Sequence, residues 1–371
     1  MKTFFILGRN PKLSRAEIIE FLKARGRTHK EILFEKNILI IETNEGERFN
    51  IQEFGGILHL GTIKFEGNEQ DIAEYLDKNE IVPADKFTYA TFGNQNPEIL
   101  KEKFKKEKKK AIIKHGRKQI KFQNGEKDGI PSANFYILYY SANTEHRIPN
   151  TDSSKARVYL GISNQNYNNT NVKKRDMQKP IRRESLAISP RLSKILINLS
   201  SAKPNDMLLD PFCGIGGILQ EALIKKINVY GIDKDKSATE NAKKNIKWLT
   251  KNYKIENTYK IENKNSQNIS GIPFSSIATE APLGKLLRKK PSDKEAKQLI
   301  LDFEAYIIPI LKHLKKIKNP STKIAITFPV IQSFHTNAQK IAEKTGLKIY
   351  INPIQESREN QFISRDILVL Q

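Results

Sequence analysis

The second half of the chain reads as an α/β domain on a mostly parallel, doubly wound sheet of seven strands, and the first half as an α+β region ahead of it. Three observations point there. From Asp206 onward, apolar runs of strand length alternate with helical stretches. The first strand-to-helix turn in that half, Pro211 to Gly217, is rich in glycine. Before about residue 150 the strand-like runs and helices follow no such alternation.

In order, Thr3–Leu7 predicts a strand, residues 15–25 a helix, and Glu31–Phe34 with Ile38–Glu42 a hairpin. For the helix, Ser14 and Glu17 have capping-box spacing, Ile18, Phe21 and Leu22 form an apolar stripe, and Gly26 suits the end. Further strands are expected near Ile57–Phe65, Phe87–Phe92 and Phe135–Tyr140, with an acidic helix at 69–77 and a basic one at 97–110. These define a module over 1–60, a second over 61–150, and an Asn-rich connector over 151–175. The α/β domain then fills 176–371, with strands at Met207–Asp210, Val229–Asp233, Tyr259–Ile261, Ser276–Thr279, Lys323–Phe328, Leu347–Ile351 and Ile363–Leu370.

Apolar residues make up 38% of the 371 and charged ones 28%, a balance that folds rather than stays disordered. The 64 Lys and Arg against 41 Asp and Glu leave a formal charge of +23. That excess favours a polyanion, nucleic acid first, unless lysine merely covers solvated faces. Clustering decides between the two: from Lys101 to Lys127 there are 12 basic residues and three acids. Lys105, Lys109, Lys114, Arg117, Lys118 and Lys121 are therefore read as a nucleic-acid surface, and Lys174 and Arg175 as part of a second basic patch. The single cysteine, Cys213, excludes an internal disulfide and a cysteine-based zinc cage, as expected in a reducing cytoplasm. Phe4–Gly8 is too short for a signal core, and no run approaches the ~18 apolar residues of a membrane span.

Chemistry concentrates at the first turn of the α/β domain. Met207–Asp210 is an apolar strand ending in a carboxylate, followed by Pro211-Phe212-Cys213-Gly214-Ile215-Gly216-Gly217 and a helix. Gly214 and Gly216 let backbone approach a ligand closely. A dinucleotide site would show G-x-G-x-x-G facing a pyrophosphate; here Asp210 would repel phosphate but suits the cationic amino-acid end of S-adenosylmethionine. Asp233, 17 residues after Gly216 at the next strand end, is placed to take the ribose hydroxyls. Asn265 and Ser266, after the third strand, are candidates for adenine. No metal is expected.

The ordered set Gly8–Glu17, Lys174-Arg175-Asp176 with Lys179-Pro180, Ser189–Leu192, Asp210–Gly217, Asn245–Leu249 and Gln361–Leu370 resembles the THUMP-containing RNA methyltransferases of the archaeal tRNA guanosine-10 N2-methyltransferase type. The resemblance implies a Rossmann-like class I methyltransferase domain. Ahead of it stands a ferredoxin-like and THUMP region that grips tRNA. It also implies Phe212 as a cofactor contact and N2-methylated guanosine as product. In such enzymes a [D/N]-P-P-[F/Y] tetrapeptide follows the fourth strand. Its side-chain oxygen and prolyl carbonyl accept the amino hydrogens, and its aromatic ring stacks on the target base. Here the stretch is Thr279-Glu280-Ala281-Pro282-Leu283-Gly284, so Glu280 and Pro282 are the catalytic candidates, one Pro is Ala281 and the ring is absent. Phe328 offers a substitute ring or a core residue. Two alternatives follow: a tRNA-binding relative that has lost turnover, and an amino methyltransferase acting on DNA adenine.

Overall fold

A computed structural model describes residues 1–44, 48–93, 98–114, 133–142, 157–182, 188–271, 273–282, 287, 289–357 and 362–371. It divides into two compact units, one of residues 1–11, 28–51 and 57–167, the other of 12–27, 52–56 and 168–371.

The N-terminal elements are β1 (Lys2–Leu7), α1 (Pro11–Ala24), β2 (His29–Glu35), β3 (Ile38–Thr43), β4 (Ile57–Gly67), α2 (Glu69–Lys78), β5 (Lys86–Gly93), α3 (Glu98–Lys106), β6 (Lys110–Ile113), β7 (Phe135–Ala142) and β8 (Arg157–Asn166). One eight-stranded sheet runs β2-β3-β1-β4-β8-β7-β5-β6. The order β2-β3-β1-β4 is that of a ferredoxin-like unit with a short 3₁₀ turn, Ile51–Glu53, in place of its second helix. Phe4, Phe5 and Ile6 on the central strand β1 are fully buried. β4 crosses the boundary expected at residue 60, pairing with β1 on one side and β8 on the other. The expected connector holds β8, an interior strand between β4 and β7. Val158, Tyr159 and Leu160 supply its buried core contacts, a signal that the Asn-rich stretch after them masks.

The second unit adds α4 (Asn169–Gln178), α5 (Pro190–Leu199), β9 (Met207–Asp210), α6 (Gly217–Ile224), β10 (Asn228–Asp233), α7 (Lys236–Tyr253), β11 (Tyr259–Asn263), β12 (Ser276–Glu280), α8 (Asp293–Ile317), β13 (Ile324–Ile331), β14 (Phe334–His335), α9 (Ala338–Thr345), β15 (Ile349–Glu356) and β16 (Ile363–Leu370). Its sheet runs β11-β10-β9-β12-β13-β16-β15, with β14 folded back on β13. Neighbours are parallel from β11 to β13, while β16 is antiparallel to β13 and β15, and β14 is antiparallel to β13. Every residue of β13 is buried, so it reads as a continuous apolar run and not as an alternation. One core packs α5, α6 and α7 against the sheet; another packs α8 and α9.

The capping box expected at Ser14 and Glu17 does not form. The helix starts earlier, at Pro11, which places both residues inside it and buries them. Glu17 accepts the amide hydrogens of Gly55 (2.7 Å) and Gly56 (2.8 Å) and a hydrogen from Asn198 Nδ2 (2.8 Å). Long-range backbone donors have claimed a carboxylate whose sequence context suggested a local role; burial pushes it above its ordinary range.

Candidate functional site

The sheet order reverses between β9 and β12, and in open α/β sheets ligands bind outside the strand ends at such a point. Asp210 ends β9 there and is 1% exposed. Its Oδ1 accepts the Phe212 amide at 3.1 Å and the Thr279 hydroxyl at 2.5 Å. Burial, against those two hydrogen bonds and helped by the carboxylates of Asp233 and Glu280, pushes Asp210 up to about 7. Asp233 ends β10, where its Oδ2 accepts Gly214 N–H and its Oδ1 accepts Asp235 N–H, each at 2.9 Å. The residue capping α7 is Asp235, which leaves Asp233 to brace the glycine turn.

Gly214 and Gly216 have φ of +51° and +84°, the left-handed region that favours glycine. A Cβ built on Gly214 would meet nothing within 4 Å, so the turn faces open space. Gly216 occupies the N-cap of α6, and no side chain caps the helix there. Phe212 is half-buried, its ring 6.2 Å from that of Tyr306 on α8, and Lys234 lies 5.0 Å from the Tyr306 centroid. Asn265 is exposed and caps its own 3₁₀ turn through Gln267 N–H (2.9 Å), while Ser266 is buried and donates to Pro211 O at 2.6 Å. Cys213 is buried and its thiol is pushed up, chiefly by that burial.

Glu280 ends β12, beside Asp210 by way of Thr279. Arg365 on β16 donates from Nε to Glu280 Oε1 at 2.5 Å. Ala281 is 1% exposed and part of the core, Pro282 is exposed, and Leu283 and Gly284 lie outside the described residues. Phe328 is fully buried 5.5 Å from Phe303, so it is a core residue and not a stacking ring. Among the described residues no group of His, Cys, Asp and Glu is placed to hold a metal ion.

The basic residues divide. Lys105, Lys114 and Lys174 are exposed. Lys109 is not part of an open patch: it follows the short helix α3, its side chain is 5% exposed, and it pairs with Glu80 at 2.6 Å and Glu107 at 3.5 Å. Arg175 is buried on the inner side of α4, where Nη2 donates to both oxygens of Glu221 at 3.1 Å. Arg117, Lys118 and Lys121 lie outside the described residues.

Sequence reasoning passed over Thr279, Arg365, Tyr306 and Asn245 as site residues. Asn245 is fully buried on α7 and joins Ile181 to the glycine turn, donating from Nδ2 to Ile215 O (3.0 Å) and Ile181 O (3.1 Å) and accepting from Ile181 N–H (3.0 Å). Its place in the motif Asn245–Leu249 was the available signal. Arg365 had its place in the motif Gln361–Leu370, but nothing there tied it to Glu280.

Residues 180–304 match the family described as UPF0020: RMKL-like, methyltransferase domain, and the mostly parallel sheet with two aspartates at neighbouring strand ends of its switch point fits that class, a methyltransferase domain. Among its relatives, the tRNA (guanine(10)-N2)-dimethyltransferase of Pyrococcus abyssi is 25% identical over 282 residues, covering 75% of this chain and 77% of that one. The protein of the same name from Methanothermobacter thermautotrophicus is 38% identical over 85 residues, 23% of this chain and 24% of that one. The crystal structure of TrmN from Thermus thermophilus shares the fold across 100% of this chain and 99% of its own, with a TM-score of 0.53 at 13% identity. No helix among the described residues is long and apolar enough to cross a membrane.

Proposed function

We propose that the protein methylates the N2 amine of a guanine in tRNA, with Asp210, Asp233 and the Gly214–Gly216 turn holding S-adenosylmethionine and Glu280 receiving the amine. One observation carries the reading: Thr279 donates to Asp210, and the next residue is Glu280. The carboxylate that fits the cofactor's ammonium and the one that fits the substrate amine are thereby fixed on neighbouring strand ends.

When bound, the cofactor supplies a sulfonium methyl group open to in-line attack by nitrogen. The chain's own part is positioning. The guanine amine is conjugated with its ring, and a carboxylate accepting one of its hydrogens draws the nitrogen lone pair toward attack. Glu280 Oε1 is taken by Arg365, and Oε2 is the oxygen left to do this. The Pro282 carbonyl, one residue beyond the buried Ala281, is the second acceptor. The exposed Lys105 and Lys114 of the N-terminal unit and Lys174 of the second unit supply phosphate contacts, and the N-terminal unit serves as the THUMP-like tRNA grip. The names of the Pyrococcus and Methanothermobacter relatives support guanine N2 over adenine as the target.

The test is nucleoside mass spectrometry of an unmodified tRNA transcript incubated with the full chain and the cofactor. N2-methylguanosine or its dimethyl form is expected. Cofactor and tRNA binding with no methylated nucleoside on any tRNA pool overturns the proposal in favour of a non-catalytic tRNA-binding protein.

A further inference from the structure

β12 and β16 are not neighbours; β13 lies between them, and strands so separated are ~9.6 Å apart. Glu280 sits opposite Thr327 on β13, and Arg365 sits opposite Pro329, two residues further along. Residues two apart on a strand share a face, so Arg365 and Glu280 emerge on the same side of the sheet and their side chains meet over β13. The contact runs from Nε to Oε1 at 2.5 Å, with side-chain exposures of 9% and 14%. Among the described residues Arg365 is the one hydrogen-bonding or ionic partner of Glu280.

The nearest acid in sequence to Arg365 is Asp366, on the opposite face, and its Oδ2 is engaged by His335 Nδ1 at 2.7 Å. The guanidinium thus bypasses its neighbour and crosses a strand to reach the catalytic candidate. Among the described residues, the charged groups that face Glu280 are of opposite sign: Asp210 from β9, and Arg365 from β16. On that face β13, the strand between, presents the neutral Thr327 and Pro329.

From this geometry we infer that Arg365 is a positioning residue for methyl transfer: it fixes the Glu280 carboxylate through one oxygen and leaves the other aimed at the amine. The inference rests on the guanine-N2 reading. A planar guanidinium held through Nε constrains both the place and the tilt of the carboxylate, which a flexible ammonium does not. Misplacing a positioned catalytic group by about 1 Å costs on the order of 100-fold in rate.

The experiment uses the full chain with tRNA transcript and cofactor, comparing Arg365→Met, Arg365→Lys, Glu280→Gln and the Met/Gln double variant. Arg365→Met lowers kcat about 100-fold, while KM for tRNA and the cofactor Kd from calorimetry move less than about threefold. Arg365→Lys recovers about tenfold of the loss, since the charge returns without the planar group. If Arg365 acts through Glu280, the double variant is no slower than Glu280→Gln alone. Full kcat in Arg365→Met, additive losses in the double variant, or parallel loss of cofactor binding in both Arg365 variants each overturn the inference and leave the proposed function standing. No turnover by the unaltered chain overturns both.

Discussion

Two carboxylates end neighbouring strands, and the fold treats them oppositely. Asp210 on β9 is buried with two neutral hydrogen-bond donors and, among the described residues, no cation, while two further acids lie within range and burial lifts it to about 7. Glu280 on β12 carries its own counter-charge, Arg365, at 2.5 Å. A buried carboxylate without a cation is unfavourable by itself and becomes favourable when a positively charged ligand arrives. One already paired gains little from a cation but keeps a lone pair for a neutral donor. That difference is what supports the proposed roles, the cationic cofactor with the first and the neutral amine with the second.

The largest expected effect tests the second half of that contrast. Glu280→Ala removes the acceptor and leaves Arg365 without its partner; loss of one positioned hydrogen-bonding group at a reacting centre costs roughly 100- to 1,000-fold in kcat. Cofactor affinity, measured by calorimetry, stays within a few-fold, because Asp210, Asp233 and the glycine turn are untouched. If affinity collapses with turnover, the two carboxylates are not separate in function.

Asp210→Asn tests the first half. Cofactor affinity should fall about 100-fold, the scale for removing one member of a buried charge pair. Stability should move the other way. A carboxylate raised from 3.8 to about 7 carries a penalty of about 4 kcal/mol when ionised in the fold. The sign follows from linkage: the penalty is absent below the ordinary carboxylate range, grows as pH rises, and is complete above about 7. Asparagine removes it but brings an amide needing its own partners, so a net gain of roughly 1–2 kcal/mol is expected, a rise of several degrees in Tm at pH 8. A lower Tm would show that Asp210 is structural.

The placement of the cofactor candidates was legible because its signals are local: a strand-end Asp, a glycine turn, and a second Asp at the next strand end. The catalytic half was legible only up to Glu280. Its partner lies 85 positions away in sequence, and pairing them requires both the strand order and the register of β13. The same limit explains the misread charges. Arg175 sits in a run that looks solvated, yet Glu221, 46 positions on, neutralises it in the interior. Glu17 matches a local capping pattern, yet backbone amides 38 and 39 positions away take it. A carboxylate or a guanidinium has several possible partners within chain reach, and tertiary packing selects among them.

A third effect needs no mutation. With Asp210 at about 7, its ionised fraction falls about eightfold between pH 7.5 and pH 6, and affinity for a ligand ammonium falls with it. A free α-amino group titrates at about 7.7–8.0 and becomes only about 1.5-fold more protonated as pH falls across that window, which opposes the trend and leaves a net change of about five- to sixfold that reports the protein. Calorimetry across it should show cofactor Kd rising by that factor as pH drops. A flat profile would mean that Asp210 stays ionised, and the contrast with Glu280 would lose its electrostatic basis.

The smallest effect isolates the link between the two strand ends. The Thr279 hydroxyl donates to Asp210 at 2.5 Å and is among the interactions holding that group down against burial. Thr279→Val keeps the branched shape and removes the donor, in a residue that is fully buried. Asp210 should then rise further, which shifts the pH profile of cofactor affinity toward higher pH. At pH 7.5, where part of the carboxylate becomes protonated, the expected loss of affinity is only about two- to fivefold. The effect should shrink as pH is raised, because enough alkali ionises Asp210 with or without the hydroxyl. The Thr279 hydroxyl donates to Asp210 and not to the Glu280 carboxylate, so turnover at saturating cofactor should change by less than about threefold. A fall in kcat that persists at high pH would mean that the hydroxyl orients the β12 end itself, making the two carboxylates one coupled device.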